Sequence, residues 1–241
     1  MDGSVRMVLL AAATAGWLAA PVGVAADELL AQQALARMAA IDMDAWAFRR
    51  TLTTPKGTRL DEHDPTRPGP EHWQLLSVDG APPTSGELRS YASNRRSHAD
   101  SDRIGPLASS RDVVNLLRPG SLEVLHADGE TATFGFQLQS PDGRRSQAWE
   151  QMRGEFRVNR NAGEPYVDTV RAWNSESFRP RFGVRLNRLG VEMRFDEAGG
   201  FVLPSELSIH FDGRALLLIP IEQTLDYRFH DLRHVAPARE D

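Results

Sequence analysis

Histidine is the first place to look for chemistry in this chain, because its ring titrates near neutrality and ligates metals. His230 and His234 stand at i, i+4 with Asp231 between them, a spacing that on a helix presents two imidazoles to one ion. Here the pair follows a run that reads as a strand, and no third ligand accompanies it, so solvent-facing histidines are the simpler expectation. Glu62-His63-Asp64 and Glu71-His72 flank a proline-rich loop. An enzyme using His63 or His72 for acid–base work is one reading of them. A polar loop is the other, and no nucleophile is paired with either histidine in the manner of a triad. The serines form no G-x-S-x-G elbow, and there is no glycine-rich phosphate loop. The chain contains no cysteine, which excludes thiol nucleophiles, cysteine metal sites, disulfides and a lipid-bearing cysteine after a leader. The sequence assigns no catalytic residue, metal or cofactor, and a non-enzymatic role is the expectation.

A different chemistry is suggested by Arg179, Arg181, Arg185 and Arg188, which gather beside Phe178 and Phe182. Planar guanidiniums beside aromatic rings suit a cationic rim for a lipid headgroup or an acidic protein. The alternative is a solvated loop in a protein whose basic residues are arginine except for Lys56. A net charge of −5 without a clustered basic surface gives no sign of a nucleic-acid partner.

Positioning such groups falls to a mainly β chain. In its 241 residues, 41% are hydrophobic and 25% charged, the balance of a folded globular protein. Arg6, the apolar run Met7 to Ala20, Pro21 and the small residues Val24-Ala25-Ala26 have the form of a secretory signal cleaved near Ala26. The apolar run is shorter than the roughly 20 residues a membrane span needs. These features predict a periplasmic protein, not integral to the membrane after cleavage, with residues 1–26 as leader and 27–241 as one β-barrel-like domain. A helix is predicted from Asp27 to Ile41, with Asp27 at its N-terminus. Two more form an insertion around 84–117. The first opens with a Thr84–Glu87 capping box, and the second covers Ser110 to Leu117. Arg95 to Arg103 reads as polar and exposed.

Strands are predicted around Trp46–Leu52, Thr58–Glu62 and Trp73–Val78. Another runs from Leu122 to the turn at Asp128-Gly129, and its return carries Ala132, Phe134, Phe136 and Leu138 on one face. Ala148–Val158 pairs with Tyr166–Trp173. A long meander follows: Val184–Phe195, the turn Glu197-Ala198-Gly199-Gly200, Phe201–Phe211, the turn Asp212-Gly213, and Arg214–Phe229. In its second strand Phe201, Leu203, Leu207, Ile209 and Phe211 all fall on odd positions and so on one face. In its first strand the apolar parity switches at Asn187-Arg188, which calls for a β-bulge. Pro220 marks an edge or a bend. Bulged long strands make a strongly curved antiparallel sheet, an unclosed β-barrel with a helical lid (α+β, mainly β). Its concave face is expected to carry Trp46, Phe48, Phe134, Phe136, Leu189, Val191, Met193, Phe201, Ile209, Phe211 and Tyr227, with Arg179, Arg181 and Arg185 on the rim. Either the helices fill this face, or they leave room for an apolar ligand.

Local segments carry a resemblance. Trp73-Gln74-Leu75-Leu76-Ser77-Val78-Asp79-Gly80 with Pro82-Pro83-Thr84, and Phe178-Arg179-Pro180 with Phe182-Gly183-Val184, look similar to segments of uncharacterised Gram-negative periplasmic proteins. The layout of leader, N-terminal helix, helical insertion and long meander resembles the LolA/LolB-like superfamily of periplasmic lipoprotein carriers. That resemblance implies an apolar cavity under helical lids that binds acyl chains. The expected function is a carrier or binding protein for a lipid or an acylated protein. The alternative is an envelope protein-interaction module with a fully packed barrel and no ligand.

Overall fold

A computed structural model describes residues 22–97, 110–140, 147–161, 163–181, 183–215 and 219–235; the leader's apolar run and Phe182 lie outside them. Among the described residues, eleven strands form a single antiparallel sheet that does not close into a barrel. They are β1 (Trp46–Thr54), β2 (Gly57–His63), β3 (Trp73–Val78), β4 (Glu123–Ala127), β5 (Thr131–Gln137), β6 (Met152–Asn159), β7 (Tyr166–Asn174), β8 (Phe178–Arg181), β9 (Val184–Ala198), β10 (Phe201–Ala215) and β11 (Ile219–His234). The spatial order is β3-β2-β1-β11-β10-β9-β7-β6-β5-β4, with β8 alongside β9. The N-terminal meander is thus joined to the C-terminal one through β1 and β11. The two edges, β3 and β4, belong to the middle of the chain, and the segment between them carries the helices α2 (Ser85–Ser97) and α3 (Ser110–Leu116).

Alternation in the strands produces one apolar face. Register places Val124, Phe134, Phe156, Val170, Met193, Leu207, Tyr227 and Leu52 opposite one another in turn, a continuous row across β4 to β1. Helix α1 (Val22–Ala39) lies on this face with Ala31, Ala34, Leu35 and Met38, and α3 adds Val113 and Leu116. Two fully buried alanines let the helix approach the sheet closely, while Phe134, Phe156 and Met38 fill the layer between. Each large side chain so buried contributes roughly 1.5–3 kcal/mol of transfer free energy. The helix is tied down at both ends. Asp27 pairs with Arg160 at 2.6 Å. Arg37 reaches Glu197 at 2.9 Å and donates to the carbonyls of Glu164 and Gly200, which belong to two hairpin turns. Since α1 begins at Val22, Asp27 serves as this ion-pair partner inside the helix, in place of the expected cap.

Most expected elements are present, including the Thr84–Glu87 capping box: the Thr84 N–H donates to Glu87, and the Glu87 N–H to the Thr84 hydroxyl. The bulge expected at Asn187-Arg188 is also there. Asp212 pairs with Arg188 and Gly213 with Leu186, so Asn187 is the extra residue, and Asn174 of β7 bonds the Asn187 carbonyl and the Leu189 N–H. The same bulge explains a correction. Asp212-Gly213 is not a turn; β10 continues through it to Ala215, and the connection to β11 falls at 216–218, outside the described residues. Gly213 is needed there because a Cβ would overlap the Arg185 carbonyl.

A second bulge, between Pro204 and Glu206, overturns the shared face of Phe201 and Leu203 with Leu207, Ile209 and Phe211. The extra residue flips the parity, so Val202 enters the main core beside Phe195 while Leu203 joins a smaller cluster with Ile41, Trp46 and Phe48. Two local expectations change as well. The chain at Gln147–Glu150 is a short helix, α4, before β6, and Phe178–Arg181 is a strand paired with β9 in place of a free loop.

Gly154 lies beneath the ring of Phe136 from the neighbouring strand, where a Cβ would overlap the ring. Phe136 is buried in the main core and has little room to move. The variant Gly154→Ala is expected to lose about 1–3 kcal/mol through overpacking, read as a lower urea midpoint with an unchanged m-value.

Candidate functional site

The residues expected on the concave face divide into groups. Trp46, Phe48, Phe134, Phe136 and Met193 are buried and fully committed to packing. Leu189, Val191, Ile209 and Tyr227 pack against the core but are only half-buried, and Phe211, opposite Leu189, shares their face and their partial exposure. Phe201 is 42% exposed and stands apart, edge-on to Trp46 and stacked with His234. Beyond Leu189 and Phe211 the same face continues through Leu186 opposite Gly213 and Ile221, then Val184 opposite Ala215 and Ile219. Exposure rises along this strip, reaching 55% at Ile219. An apolar band therefore runs from a close-packed core toward one end of β9, β10 and β11, past the reach of the core residues of α1 and α3.

The arginines expected on the rim are dispersed. Arg185 alternates with Val184 and Leu186 and so faces the other side of the sheet, where its guanidinium donates to Ser177 at 2.8 Å. Arg188 lies 3.7 Å from Asp212 on that outer face. Arg179 is exposed, and the backbone of Arg181 pairs with Val184. The outer face is a lattice of compensated charges, with Arg171 bridging Glu155 and Glu192, and Arg194 and Arg228 meeting Glu206.

His230 and His234 do not share a site, while the rings of His63 and His72 lie 6.1 Å apart. His230 shares a hydrogen bond with Thr51 at 3.1 Å, whereas His234 stacks on Phe201. Among the described residues no group of three or more metal-ligating side chains occurs. His63 is buried between Phe48 and Trp73, with ring centroids 5.0 and 4.8 Å away. Its Nδ1 lies 2.9 Å from the Trp46 carbonyl, which only accepts, so Nδ1 carries the proton. Burial lowers the His63 pKa, opposed by this backbone hydrogen bond.

The polar cluster that sequence reasoning missed lies on the concave side of β1 and β2. Arg50 and Asp61 form a bidentate pair at 3.0 and 2.8 Å, with side chains only 3% and 1% exposed. The same carboxylate is 3.5 Å from Arg59 and 4.0 Å from Arg95, and accepts from the Tyr91 hydroxyl at 3.3 Å. Aromatic faces complete the cluster. The guanidiniums of Arg50 and Arg95 lie 4.4 and 3.9 Å from the Trp73 ring, and Arg59 lies 5.3 Å from that of Tyr91. Burial, and then the Asp61 charge, raise the Tyr91 pKa. Arg95 is half-buried in the last turns of α2, not in an exposed loop, and with Tyr91 it fastens that helix to the sheet. One signal was present in the sequence: Arg50 has the same parity as Trp46, Phe48 and Leu52.

No protein-family model, curated protein or solved structure matches this chain.

Two outcomes follow from these contacts. Below pH 6.5, the usual histidine value, the unfolded chain takes up a proton that folded His63 refuses. Stability should therefore fall as pH drops through 6.5 and level off below the folded-state value, with a slope of at most about 1.4 kcal/mol per pH unit. His63→Asn keeps a donor for the Trp46 carbonyl and should remove this component of the slope in denaturation curves taken from pH 7.5 to 5. Asp61→Asn leaves Arg50 buried without its counter-charge and should cost about 3–5 kcal/mol, measured by urea denaturation at neutral pH.

Proposed function

We propose that this protein is a non-enzymatic carrier that sequesters an apolar ligand, a lipid or an acylated protein, on the concave face of its sheet. The observation that carries this reading is the half-buried strip of Leu189, Val191, Ile209, Phe211 and Tyr227 continuing from the filled core on the same face. An acyl chain laid on that strip would leave water at roughly 25 cal/mol per Å² of apolar area. Entry fits the end of the strip at Val184, Ala215 and Ile219, where the band is most exposed. The mechanism is burial and release, with no covalent step. The layout resemblance to periplasmic lipoprotein carriers and the signal-like N-terminus support the same reading and a periplasmic location. Among the described residues no helix is long and apolar enough to cross a membrane.

A second reading rests on β4, which is exposed at every position and shows Val124 and Leu125 at 39% and 51% on an edge of the sheet. Such an edge can accept a strand from an envelope protein. It predicts a partner whose capture survives delipidation and is lost when a proline is placed in β4.

The carrier reading is tested with the chain from Asp27, secreted, purified and examined by native mass spectrometry for bound lipid, then delipidated and titrated with a fluorescent acyl probe. Co-purifying lipid and saturable binding are expected. Ile209→Arg should weaken the probe by at least about tenfold, since a guanidinium on the strip is costly to desolvate. Absence of both lipid and binding in the unaltered protein would overturn the reading.

A further inference from the structure

We propose that the outer face of the sheet holds a carbohydrate-binding subsite, in which a neutral sugar ring stacks on Trp173 over Gly190. The subsite lies on the face opposite the apolar strip and does not depend on the carrier reading.

Glycine weakens a strand interior, and where one stands there a bend, a bulge or a group close to the backbone is the usual reason. The other glycines inside the described strands have such reasons. Gly57 has a φ of +140°. A Cβ at Gly135, Gly154 or Gly213 would run into Glu123, Phe136 or the Arg185 carbonyl. Gly190 has neither a left-handed φ nor a crowding neighbour: no described atom lies within 4 Å of where its Cβ would be. It alternates with Leu189 and Val191 of the core face, so the open space above it points outward. Trp173 of β7 stands directly opposite. An aromatic side chain paired with glycine can fold over it and cover the backbone. This indole does not, since it would then come within 4 Å of the Cβ position. It stays 39% exposed, the one exposed tryptophan among the described residues. Arg153, its partner on the other side, turns instead to the carbonyls of Glu150 and Met152. An aromatic face and an open floor thus lie side by side, and the fold uses neither.

The register supplies the rest of the frame. His210 stands on the far side of Gly190, its Nδ1 3.1 Å from the Thr224 hydroxyl. Trp173 and His210 are two strand spacings apart, about 10 Å, so a ring seated over Gly190 meets the indole on one side and the imidazole on the other. In the next row Arg171 pairs with Glu192 at 2.9 Å, and in the row beyond Gly190 Arg188 approaches Asp212 at 3.7 Å. These neighbours select the ligand. Each guanidinium already faces a carboxylate, so the frame offers no net charge to an anion or a cation. Both kinds of group keep hydrogen-bonding capacity toward solvent, donors on the arginines and lone pairs on the carboxylates. A sugar hydroxyl donates and accepts at once, and the ring's C–H face is apolar, which matches donors and acceptors set around one indole. A lipid tail finds no apolar continuation here, because the residues flanking Trp173 and Gly190 on this face are charged or polar.

The test titrates the secreted, purified protein with three probes by calorimetry: cellotetraose, tetra-N-acetylchitotetraose and tetragalacturonate. Saturable binding of at least one neutral tetramer is expected, and tetragalacturonate should bind no more tightly. Trp173→Ala should weaken the neutral sugar by at least about tenfold, the scale of one lost stacking contact, and Trp173→Phe should keep part of the affinity. Gly190→Thr fills the open floor with a residue that favours strands. It should abolish binding while leaving the urea midpoint unchanged or raised. Ile209→Arg, on the opposite face, should leave sugar binding unchanged, so this subsite and the carrier reading fail separately. Binding of neither neutral tetramer, or of tetragalacturonate alone, overturns the proposal. So does neutral-sugar affinity that survives Trp173→Ala or Gly190→Thr. A lowered midpoint in Gly190→Thr also overturns it, by assigning the glycine to the bend of the sheet.

Discussion

The antiparallel pairing of β1 with β11 joins two parts of the chain nearly as far apart in sequence as its described length allows. Thr51 and His230, in hydrogen-bond contact across this seam, are separated by 179 residues. Everything on the β1–β3 side depends on it: without β11, the first three strands are a small sheet with a charged row and little core. With it, the row that begins at Val124 extends to Leu52, and Tyr227 supplies a ring for Arg50 to rest against. Such long-range closure is entropically costly before it is rewarded, so sheets of this kind fold slowly compared with local hairpins. The bulge near Asp231, whose φ is +54°, is the local adjustment that lets the end of β11 follow β1.

Two kinds of packing coexist on the one apolar face. Under α1, small residues on the helix and large ones on β5 and β6 interlock until Phe134 and Phe156 stack with centroids 5.1 Å apart. Toward the far ends of β9 to β11 the same alternation persists without that depth of cover. The asymmetry follows from how α1 is fixed. Its ion pairs sit at the β6–β7 and β9–β10 turns, at the end of the sheet where the core lies. A helix held at that end covers the nearest rows and leaves the distant ones half-buried.

Much of this was legible in the sequence, because alternation reports faces directly. The parity slip at Asn187 identified a bulge before any register was known, and Thr84 with Glu87 identified a helix start from two side chains. Where the sequence misled, the cause was physical. Asp212-Gly213 has turn chemistry, yet Gly213 is glycine because Arg185 passes too close for a Cβ. The bulge beside Pro204 left the odd-numbered apolar pattern intact while flipping what it meant. The cluster around Asp61 was the hardest to see. Arg50 shares the parity of Trp46 and Phe48, but an arginine in an apolar row acquires meaning only when its partner is known. Asp61 becomes that partner through the register set by the turn at Pro55-Lys56, and Arg95 arrives from a helix whose placement no local pattern predicts.

The location of the sheet's open side has a mechanical consequence. Its edges, β3 and β4, come from the middle of the chain and are connected by the helical segment that carries α2 and α3. Widening the gap between those edges breaks no strand-to-strand ladder. Among the described residues, the contacts that bind the helices to the sheet near those edges are Tyr91 and Arg95 on the Asp61 and Trp73 side, and on the other Val113 and Leu116 with the backbone hydrogen bond from Gln139 to Leu116. The continuous ladder makes the sheet a stiff frame whose two free edges are where a change of curvature meets the least backbone resistance.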